Sequence, residues 1–407
     1  MKFSPITSFV VLIGCWTLLF PVGMVSAQEE ADLVSDSLGL EPFLEDWSAT
    51  VWGQRRSNTL DQELAGLLMG GGRIERDLIE SALAAQSGDM GGFGFSAGGL
   101  VKWSSTRLWK DTEARICGSI QGRSLIDARW TPEMLELVFM GNQGHLGRWD
   151  VLDGSQLRTT VWGAVAVGLE GRNNNRIELG LAYRHLQLKG QVHTGYFRVN
   201  EQADSLFASM RADASVDLRP GWGLAMNGEW HFIREEAPFA FHVQIQNWGW
   251  VVVPAGGVHY AVDTLLETTG LALDGPGWSL ETLQFPDFEK DYLDVDTAGV
   301  TLQRLPGRCD VAFEYPLGPR SGWDVTLQMG EWMPQPRVMM GYRRAFGKQW
   351  QVGIQGVVGG WGRLRPAVWV RWRVPNERAL TLYVEDPWGW GSSSAFGRGL
   401  TLRFEGL

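Results

Sequence analysis

The sequence predicts an all-β fold, an antiparallel transmembrane β-barrel of about 14 strands, in a range of about 12 to 16, with short plug or loop helices. Three observations predict it. Apolar and polar residues alternate along most of the chain, no Pro-, Ser- or charge-rich linker divides its 407 residues, and tryptophan and glycine are unusually frequent. Alternation with a period of two is typical of strands that have one apolar and one polar face.

The alternation is clear in residues 239–246, where Phe241 and Val243 fall on one face and His242 and Gln244 on the other. Residues 210–218, 349–358 and 400–405 show the same split. Similar patterns predict strands near residues 49–54, 93–103, 112–121, 158–169, 176–187, 191–199, 222–232, 309–316, 323–330, 336–345, 366–374 and 378–385. So many strands favour closure, because a closed barrel has no unpaired edge and satisfies every backbone group in lipid.

Composition supports the same fold. The chain contains 21 Trp and 52 Gly. Tryptophan favours the membrane–water boundary, and glycine suits close strand contacts and tight turns. The net charge of −10 and the lack of a basic cluster exclude nucleic acid as a partner, because the field of the chain would repel a polyanion.

The N-terminus resembles an export signal. Lys2 is followed by an apolar run at residues 9–20 and by the small residues Val25-Ser26-Ala27. We therefore predict a cleaved signal peptide at residues 1–27 and a single barrel domain at residues 28–407. A lipoprotein processing site ending at Cys15 is the alternative, but a second apolar stretch follows that cysteine.

Three segments interrupt the strand pattern. Residues 73–86 have helical spacing after a run of glycines, and a second helix is predicted at residues 131–139, where Thr131 can cap and Pro132 fits the first turn. Both are interpreted either as plugs of the barrel or as loop helices at its mouth. Residues 261–296 form an irregular insert whose acidic residues could bind Ca²⁺, although they lack an EF-hand pattern, so a solvated loop is favoured.

No sequence motif indicates catalysis or a cofactor. The six histidines are scattered, without the spacing to a second histidine and a carboxylate that zinc sites show, and no Gly-x-Ser-x-Gly elbow is present. We therefore predict no enzyme, no cofactor and no metal. Cys117 and Cys309 remain in the mature chain, and the sequence does not decide whether they pair, although a role as small strand residues is favoured.

The segment Leu137–Gly147 resembles part of a Bacteroidota family of outer-membrane proteins catalogued only as a domain of unknown function, where a short inward helix ends in a Gly-Asn turn. Residues 160–169, 176–188 and 246–251 are similar to later elements of that family in the same order. The resemblance implies a barrel of the broad type that includes fatty-acid channels and barrels associated with type IX secretion and gliding. It implies no substrate. Gly141, Asn142 and His145, in the turn, are the candidate ligand-binding residues.

These observations predict an exported outer-membrane protein that acts as a transport pore or as a scaffold of the cell envelope. Its expected partners are outer-membrane lipid, the barrel-insertion machinery and other envelope proteins. The alternative from another class is a secreted or surface β-sandwich adhesin whose tryptophans bind sugars or proteins. A lipid hydrolase with a dispersed catalytic triad is a third, weaker alternative, because such triads are recognised by geometry rather than by sequence order.

Overall fold

The computed structural model describes residues 44–86, 88–108, 114–141, 145–171, 174–201, 205–233, 239–269, 294–374 and 378–406. The predicted signal peptide and the alternative lipoprotein site lie outside these residues. No helix within the described residues has both the length and the apolar character that crossing a membrane requires.

The described residues form three α-helices, α1 (Gln62–Gly70), α2 (Arg76–Ala85) and α3 (Pro132–Met140), and a short 3-10 helix (Pro387–Trp390). Their strands are β1 (Leu44–Ser57), β2 (Gly91–Leu108), β3 (Arg115–Trp130), β4 (Asp150–Val151), β5 (Gln156–Glu170), β6 (Arg176–Val199), β7 (Ser205–Asp217), β8 (Gly221–Ile233), β9 (Ala240–Val253), β10 (Gly257–Thr269), β11 (Asp294–Ala298), β12 (Thr301–Arg304), β13 (Arg308–Gly318), β14 (Ser321–Gly330), β15 (Arg337–Phe346), β16 (Trp350–Gly359), β17 (Gly362–Val374), β18 (Arg378–Glu385) and β19 (Gly397–Gly406).

Antiparallel pairing closes the sheet on itself. The order around the wall is β1, β2, β3, β5, β6, β8, β9, β13 and then β14 to β19, and β19 pairs with β1 from Trp47↔Gly406 to Arg56↔Gly397. β12 and β13 both pair with β9 and together form one strand of the wall. The described strands therefore build a closed 14-stranded barrel, as the alternation predicted. A single closed sheet excludes the two-sheet architecture of the β-sandwich alternative.

The outer surface of the barrel is apolar because alternate residues of each strand point outward. On β6, Ile177, Leu179 and Leu181 are 56%, 61% and 62% exposed, whereas Glu178 and Ala182 between them are buried. The same alternation exposes apolar side chains of the neighbouring strands: Val165, Val167 and Leu169 of β5, Trp222, Leu224 and Met226 of β8, and Trp248, Trp250 and Val252 of β9. A continuous apolar surface of this extent is what a wall in contact with lipid requires.

Aromatic side chains border this apolar surface at one end of the barrel. Neighbouring strands place them in pairs with ring centroids 5.4 to 5.8 Å apart: Phe232–Phe241, Phe239–Phe313, Trp323–Tyr342 and Trp350–Trp372. Towards the opposite end, Tyr183 and Trp222 form a further pair at 4.7 Å. Aromatic rings in such positions mark the two membrane–water boundaries.

The two ends of the barrel differ in the length of their connections. At one end, here called the short-turn end, the strands are joined by residues 109–114, 171–175, 234–239, 319–320, 347–349 and 375–377. At the opposite long-loop end, residues 58–90, 131–155, 200–220 and 254–300 hold the α-helices and additional strands. β1 begins and β19 ends at the short-turn end.

A small sheet projects from the long-loop end. β6 continues past the wall, and its second half pairs with β7 from Gln187↔Asp217 to Val199↔Leu206. β7 pairs with β10, and β10 with β11. We call the second half of β6 together with β7, β10 and β11 the extension.

The extension corrects three details of the sequence interpretation. Residues 176–187 and 191–199, predicted as two strands, form the single strand β6. Residues 210–218 alternate like a wall strand, but most of them lie in β7 of the extension, because every β-strand directs successive side chains to opposite faces of its sheet. The insert predicted as irregular over 261–296 is ordered at both ends, in β10 and β11, and its middle lies outside the described residues.

The three helices lie at the rim of the long-loop end. Asp61 caps α1 by accepting from Leu64 N, and Thr131 caps α3 by accepting from Met134 N, with Pro132 in the first turn as predicted. Their apolar residues pack in one cluster with side chains that the alternation directs outward from β2 and β3, namely Phe93, Phe95, Ile126 and Ala128. The helices of residues 73–86 and 131–139 are therefore loop helices at the mouth and do not fill the lumen.

Cys117 and Cys309 are both free. Cys117 is two positions from Ser119 on β3 and therefore shares its inward face; its partner on β5 is Gly168. Cys309 pairs with Ile245, which lies on the outward face of β9. Since one thiol faces the lumen and the other faces outward, the two do not form a disulfide.

Candidate functional site: the barrel lumen

The lumen is lined by polar and charged side chains and contains a cavity of about 310 Å³. Ten of the 14 wall strands and the loop after β14 contribute to its lining, and β5, β6, β16 and β17 do not. The lining residues are Ser48, Thr50, Trp52, Gln54, Ser96, Leu100, Lys102, Arg123, Glu229, His242, Gln244, Gln246, Arg308, Gln328, Glu331, Arg337, Met339, Tyr383, Thr401 and Arg403. The period-two alternation directs these residues inward, opposite to the apolar residues of the outer surface. The barrel is therefore partly hollow, and its interior is suited to water and hydrophilic solutes.

Arg123 of β3 crosses the lumen near the long-loop end. Its guanidinium donates to Glu331 Oε1, which follows β14 on nearly the opposite side of the barrel, and to Gln246 Oε1 of β9. The guanidinium carbon lies 4.8 Å from the centroid of the Trp52 ring, and the whole residue is 1% exposed. A guanidinium that makes charge-assisted bonds and also stacks on an aromatic face is firmly positioned.

The loop after β14 is folded into the lumen to make this contact. Glu331 and Trp332 have φ of 52° and 62°, a left-handed conformation that costs non-glycine residues free energy. Three contacts hold it: the Arg123–Glu331 ion pair, a bond of 2.6 Å from Arg129 Nη2 to Trp332 O, and a bond of 2.9 Å from Glu331 N to Gly307 O. We call the Arg123–Glu331 pair and this loop the cross-lumen bridge.

A second charged cluster closes the same end between β1 and β18. Glu385 is 1% exposed and accepts from Arg56 Nε and Nη2 at 2.8 and 2.9 Å, and also from Arg337 and Arg365. Nearby, Trp361 Nε1 donates to Asp127 Oδ1 of β3 at 2.8 Å. With the cross-lumen bridge, these contacts occlude the long-loop end of the lumen.

The side of the lumen between β3 and β8 is filled rather than hollow. Arg176 pairs with Glu170 and Glu178, and Glu178 also accepts from Ser119 across the interior. Above them, small inward residues pack with Trp162 in an apolar cluster that contains Ala164, Ala182, Ala225, Val251, Val253 and Leu305. The cavity therefore lies towards β1, β14, β15 and β19.

Glu229, His231 and His242 form a third group, on the lumen wall near the short-turn end. His231 and His242 are direct cross-strand partners of β8 and β9, and their rings stack with centroids 4.3 Å apart. Glu229 Oε1 lies 3.3 Å from Nε2 of each histidine. The sequence interpretation that the histidines are isolated from one another is wrong for this pair.

Two of the three residues predicted from the Gly-Asn turn, Gly141 and His145, lie outside the lumen, at the long-loop end. Gly141 ends α3 with φ of 74°, and its N–H donates to Leu137 O at 3.2 Å. His145 is fully buried, with Nδ1 2.6 Å from Asp150 Oδ2 and its ring edge against Phe197 of β6. Asn142 lies outside the described residues. Ligand binding by Gly141, Asn142 and His145 stays a prediction.

Arg148 belongs to the same turn region and lies outside the membrane-spanning part of the chain. It donates to Glu136 Oε2 at 2.6 Å and to Asp150 Oδ1 at 2.8 Å. Burial alone would lower the pKa of Arg148, but the hydrogen bonds and charges of these two carboxylates outweigh it and raise the pKa. The turn is thus a self-contained ion-pair cluster that joins α3 to β4.

Sequence reasoning missed the contacts that cross the lumen. Arg123 and Glu331 are separated by 208 positions, and the pair forms only because closure brings β3 opposite the loop after β14. The histidine pair carried a weaker signal, since both residues fall on the polar phase of consecutive alternating segments. Counting outward from the connection between those segments would have placed them side by side.

No family model and no curated protein matches the chain. Among solved structures, the chain is similar to the TodX monoaromatic hydrocarbon channel with the ΔS2S3 mutation, at 6% identity, 90% coverage of both chains and a TM-score of 0.39. A Pseudomonas aeruginosa FadL homologue is 9% identical, with 90% of each chain covered and a TM-score of 0.38. The β domain of the Bordetella autotransporter BrkA is 7% identical over 89% of this chain and 99% of that chain, with a TM-score of 0.28. Similarity at this level is too low to support conclusions about function, which depend on the geometry of the lumen.

Proposed function

We propose that the protein is an outer-membrane β-barrel that acts as a pore for small hydrophilic solutes, closed at its long-loop end by the cross-lumen bridge. The observation that carries the proposal is the polar cavity of about 310 Å³ inside a closed wall with an apolar exterior. Barrels of bacterial outer membranes have short periplasmic turns and longer extracellular loops. By this rule the short-turn end is periplasmic and the bridge lies on the extracellular side.

The charges in and around the cavity favour anionic over cationic solutes. Five basic residues line it: Lys102, Arg123, Arg308, Arg337 and Arg403. Two acidic residues, Glu229 and Glu331, also line it, and three more acids pair with the basic residues just outside it: Asp310, Glu385 and Glu405. These outer acids also pair with Arg56, Arg365 and Arg371, so basic residues outnumber acidic ones and positive charge prevails.

Conductance in a planar bilayer tests the proposal. The wild-type protein should show small or infrequent openings, because the bridge occludes the lumen. Glu331→Ala removes the acceptor of Arg123 and the anchor of the strained loop, and it should raise the open time or the single-channel conductance at least severalfold. Glu80→Ala is the matched control, since Glu80 makes an exposed ion pair with Arg76 on α2.

Silence of both the wild-type protein and Glu331→Ala, with folded barrels in the bilayer, would contradict the pore. It would favour the second candidate, a scaffold of the cell envelope. The observation that favours a scaffold is the extension. Within the part of the chain that the structure describes, its last strand β11 pairs with β10 on one side, and a free edge on the other side would let the chains of envelope partners add to the sheet. Loss of a co-purifying envelope protein on disruption of β11 would support this function.

Membership of the outer-membrane family that the sequence resembles around Leu137–Gly147 is part of the same proposal. The capped helix before Gly141 and the strand that begins at Gln156 support the resemblance noted from the sequence, but that helix packs on outward side chains at the rim, whereas the resemblance implied an inward helix. Export through a cleaved signal peptide at residues 1–27 is expected of an outer-membrane protein. N-terminal sequencing of the membrane-inserted protein tests that cleavage, with Gln28 as the expected first residue.

A further inference from the structure

Glu229, His231 and His242 project into the lumen from adjacent strands. Glu229 and His231 are two positions apart on β8 and therefore share its inward face, and His242 is the direct partner of His231 on β9. Glu229 and His242 line the cavity of about 310 Å³, so the group can be reached from the water inside the barrel. We call these three residues the histidine cluster.

The spacing of the histidine cluster fits a small divalent metal ion. One ligand atom from each residue can be chosen so that all three lie within 4.8 Å of one another, and both imidazole Nε2 atoms lie 3.3 Å from Glu229 Oε1. Two ligands held at about 2.0–2.1 Å by a tetrahedral zinc ion are about 3.3–3.4 Å apart. The two observed separations match two edges of such a tetrahedron. The rings are stacked 15° from parallel, so one imidazole must rotate about its side-chain bonds for both Nε2 lone pairs to point at one ion.

The surrounding contacts leave the metal-facing atoms available. Lys102 Nζ and Gln244 Nε2 both bind Glu229 Oε2, at 2.5 and 3.2 Å, and thereby orient the carboxylate with Oε1 towards the histidines. His242 Nε2 is buried and, among the described residues, makes no hydrogen bond of acceptable geometry despite its proximity to Glu229. His231 N donates to Asn175 Oδ1 at 2.7 Å, which fixes the backbone beside the cluster. Contacts of this outer kind hold metal ligands in place.

We propose that the histidine cluster is a binding site for Zn²⁺ or a similar divalent transition-metal ion on the lumen wall. The ion is bound by Glu229 Oε1 and the two neutral imidazoles, and water from the cavity supplies the remaining ligand. Lys102 orients the carboxylate through Oε2, but its ammonium also repels a nearby cation; Gln244 still holds Oε2 when Lys102 is replaced, so removal of the positive charge should tighten binding. The site is independent of the pore proposal, because it needs only the register of β8 and β9.

The proposal is tested by titrating zinc into the folded, tag-free barrel in detergent at about pH 7.5 and measuring the heat of binding by isothermal titration calorimetry. We expect one high-affinity site per barrel. His231→Gln and His242→Gln should each weaken it at least about tenfold, and Lys102→Met should strengthen it. His193→Gln is the matched control, because His193 lies in the extension and pairs with Asp213. Its affinity should equal that of the wild type.

The absence of a site in the wild-type protein, or equal affinities of His231→Gln, His242→Gln and His193→Gln, would overturn the proposal. If a histidine variant fails to fold, the wild-type protein is titrated again at about pH 5.5. Zinc ligation needs neutral imidazoles, whose ordinary pKa is about 6.5, so affinity should fall at least tenfold. Unchanged affinity at the lower pH would also overturn the proposal. Neither zinc titration measures conductance, so failure of the metal site and failure of the pore proposal are distinguishable.

Discussion

Single residues stabilise the barrel where a buried charge has several partners. Among the described residues, Glu385 is the only carboxylate that forms an ion pair with Arg56, Arg337 and Arg365, and all four side chains are nearly excluded from solvent. Desolvation of so many charges is costly and is compensated only while the carboxylate is present. The stability of this buried cluster therefore depends strongly on Glu385.

Glu385→Gln should destabilise the folded barrel by about 3–5 kcal/mol, because it leaves three buried guanidinium groups without a counterion. The urea concentration at the midpoint of unfolding, measured in detergent micelles, reports this change. Glu405→Gln is the control, since its partners Arg371 and Arg403 are 32% and 53% exposed, and an exposed pair contributes about 0–1 kcal/mol. Equal losses for the two variants would show that burial of the Glu385 cluster has no special effect.

The facing of side chains is testable at Leu179, which lies between the aromatic pairs that border the apolar surface. Leu179→Arg places a charge in the lipid-facing wall and should cost about 2–4 kcal/mol near the middle of the membrane. Thr326→Arg is the control, because Thr326 is the inward partner of the cavity residue Met339. Unfolding of both variants in lipid vesicles should show a large loss for Leu179→Arg alone, and a larger loss for Thr326→Arg would reverse the facing assignment.

At the scale of elements, the extension is held to the wall by β6, which belongs to both. A salt bridge inside it joins Asp213 of β7 to His193 and to Lys189 of β6, the latter with Nζ 3.2 Å from Oδ2. Burial alone would raise the pKa of Asp213, but hydrogen bonds from His193 and Lys189 outweigh it and lower the pKa. The folded extension therefore favours the ionised carboxylate.

Acid should loosen the extension before it affects the barrel. A carboxylate with a lowered pKa stabilises the folded state above its unfolded pKa of about 3.9, and this stabilisation is lost as the pH falls through the folded pKa. Amide hydrogen-exchange protection in residues 205–217 should therefore fall below about pH 4, while residues 350–359 of β16 stay protected. In Asp213→Asn the protection of β7 should be low already at pH 6 and should no longer depend on acid, and an unchanged pH profile in this variant would contradict the assignment.

The sequence predicted elements well where one rule determines them. Alternation identified the wall strands, and Thr131 with Pro132 identified α3. Alternation did not separate β7 from the wall strands, because polar and apolar residues can alternate in a sheet outside the membrane as well. It divided β6 in two because Lys189 and Gly190 resemble a turn, although the strand continues through them. The cross-lumen bridge could not be predicted, because its partners meet only after closure and local patterns contain no information about strands on opposite sides.

At the scale of the whole molecule, closure makes every wall strand depend on two neighbours, including β1 and β19 at the seam. Such a barrel should resist dodecyl sulfate at room temperature and unfold only on heating, because its closed wall has no edge strand at which unfolding could start. Electrophoresis of unheated and boiled samples should give two mobilities, and the unheated form should partition into detergent. Equal mobilities together with detergent-free solubility would contradict a membrane barrel.

The central claim is that the wall separates lipid outside from a hydrated lumen inside, and β19 tests it most directly. In a variant without Cys117 and Cys309, spin labels are attached to single cysteines at each position from Leu400 to Phe404, and the protein is reconstituted in lipid vesicles. We predict that labels at Leu400, Leu402 and Phe404 collide with oxygen dissolved in lipid, whereas labels at Thr401 and Arg403 collide with a water-soluble nickel chelate, since both residues line the cavity. Accessibility without a period of two, or the same preference for oxygen at all five positions, would contradict the account.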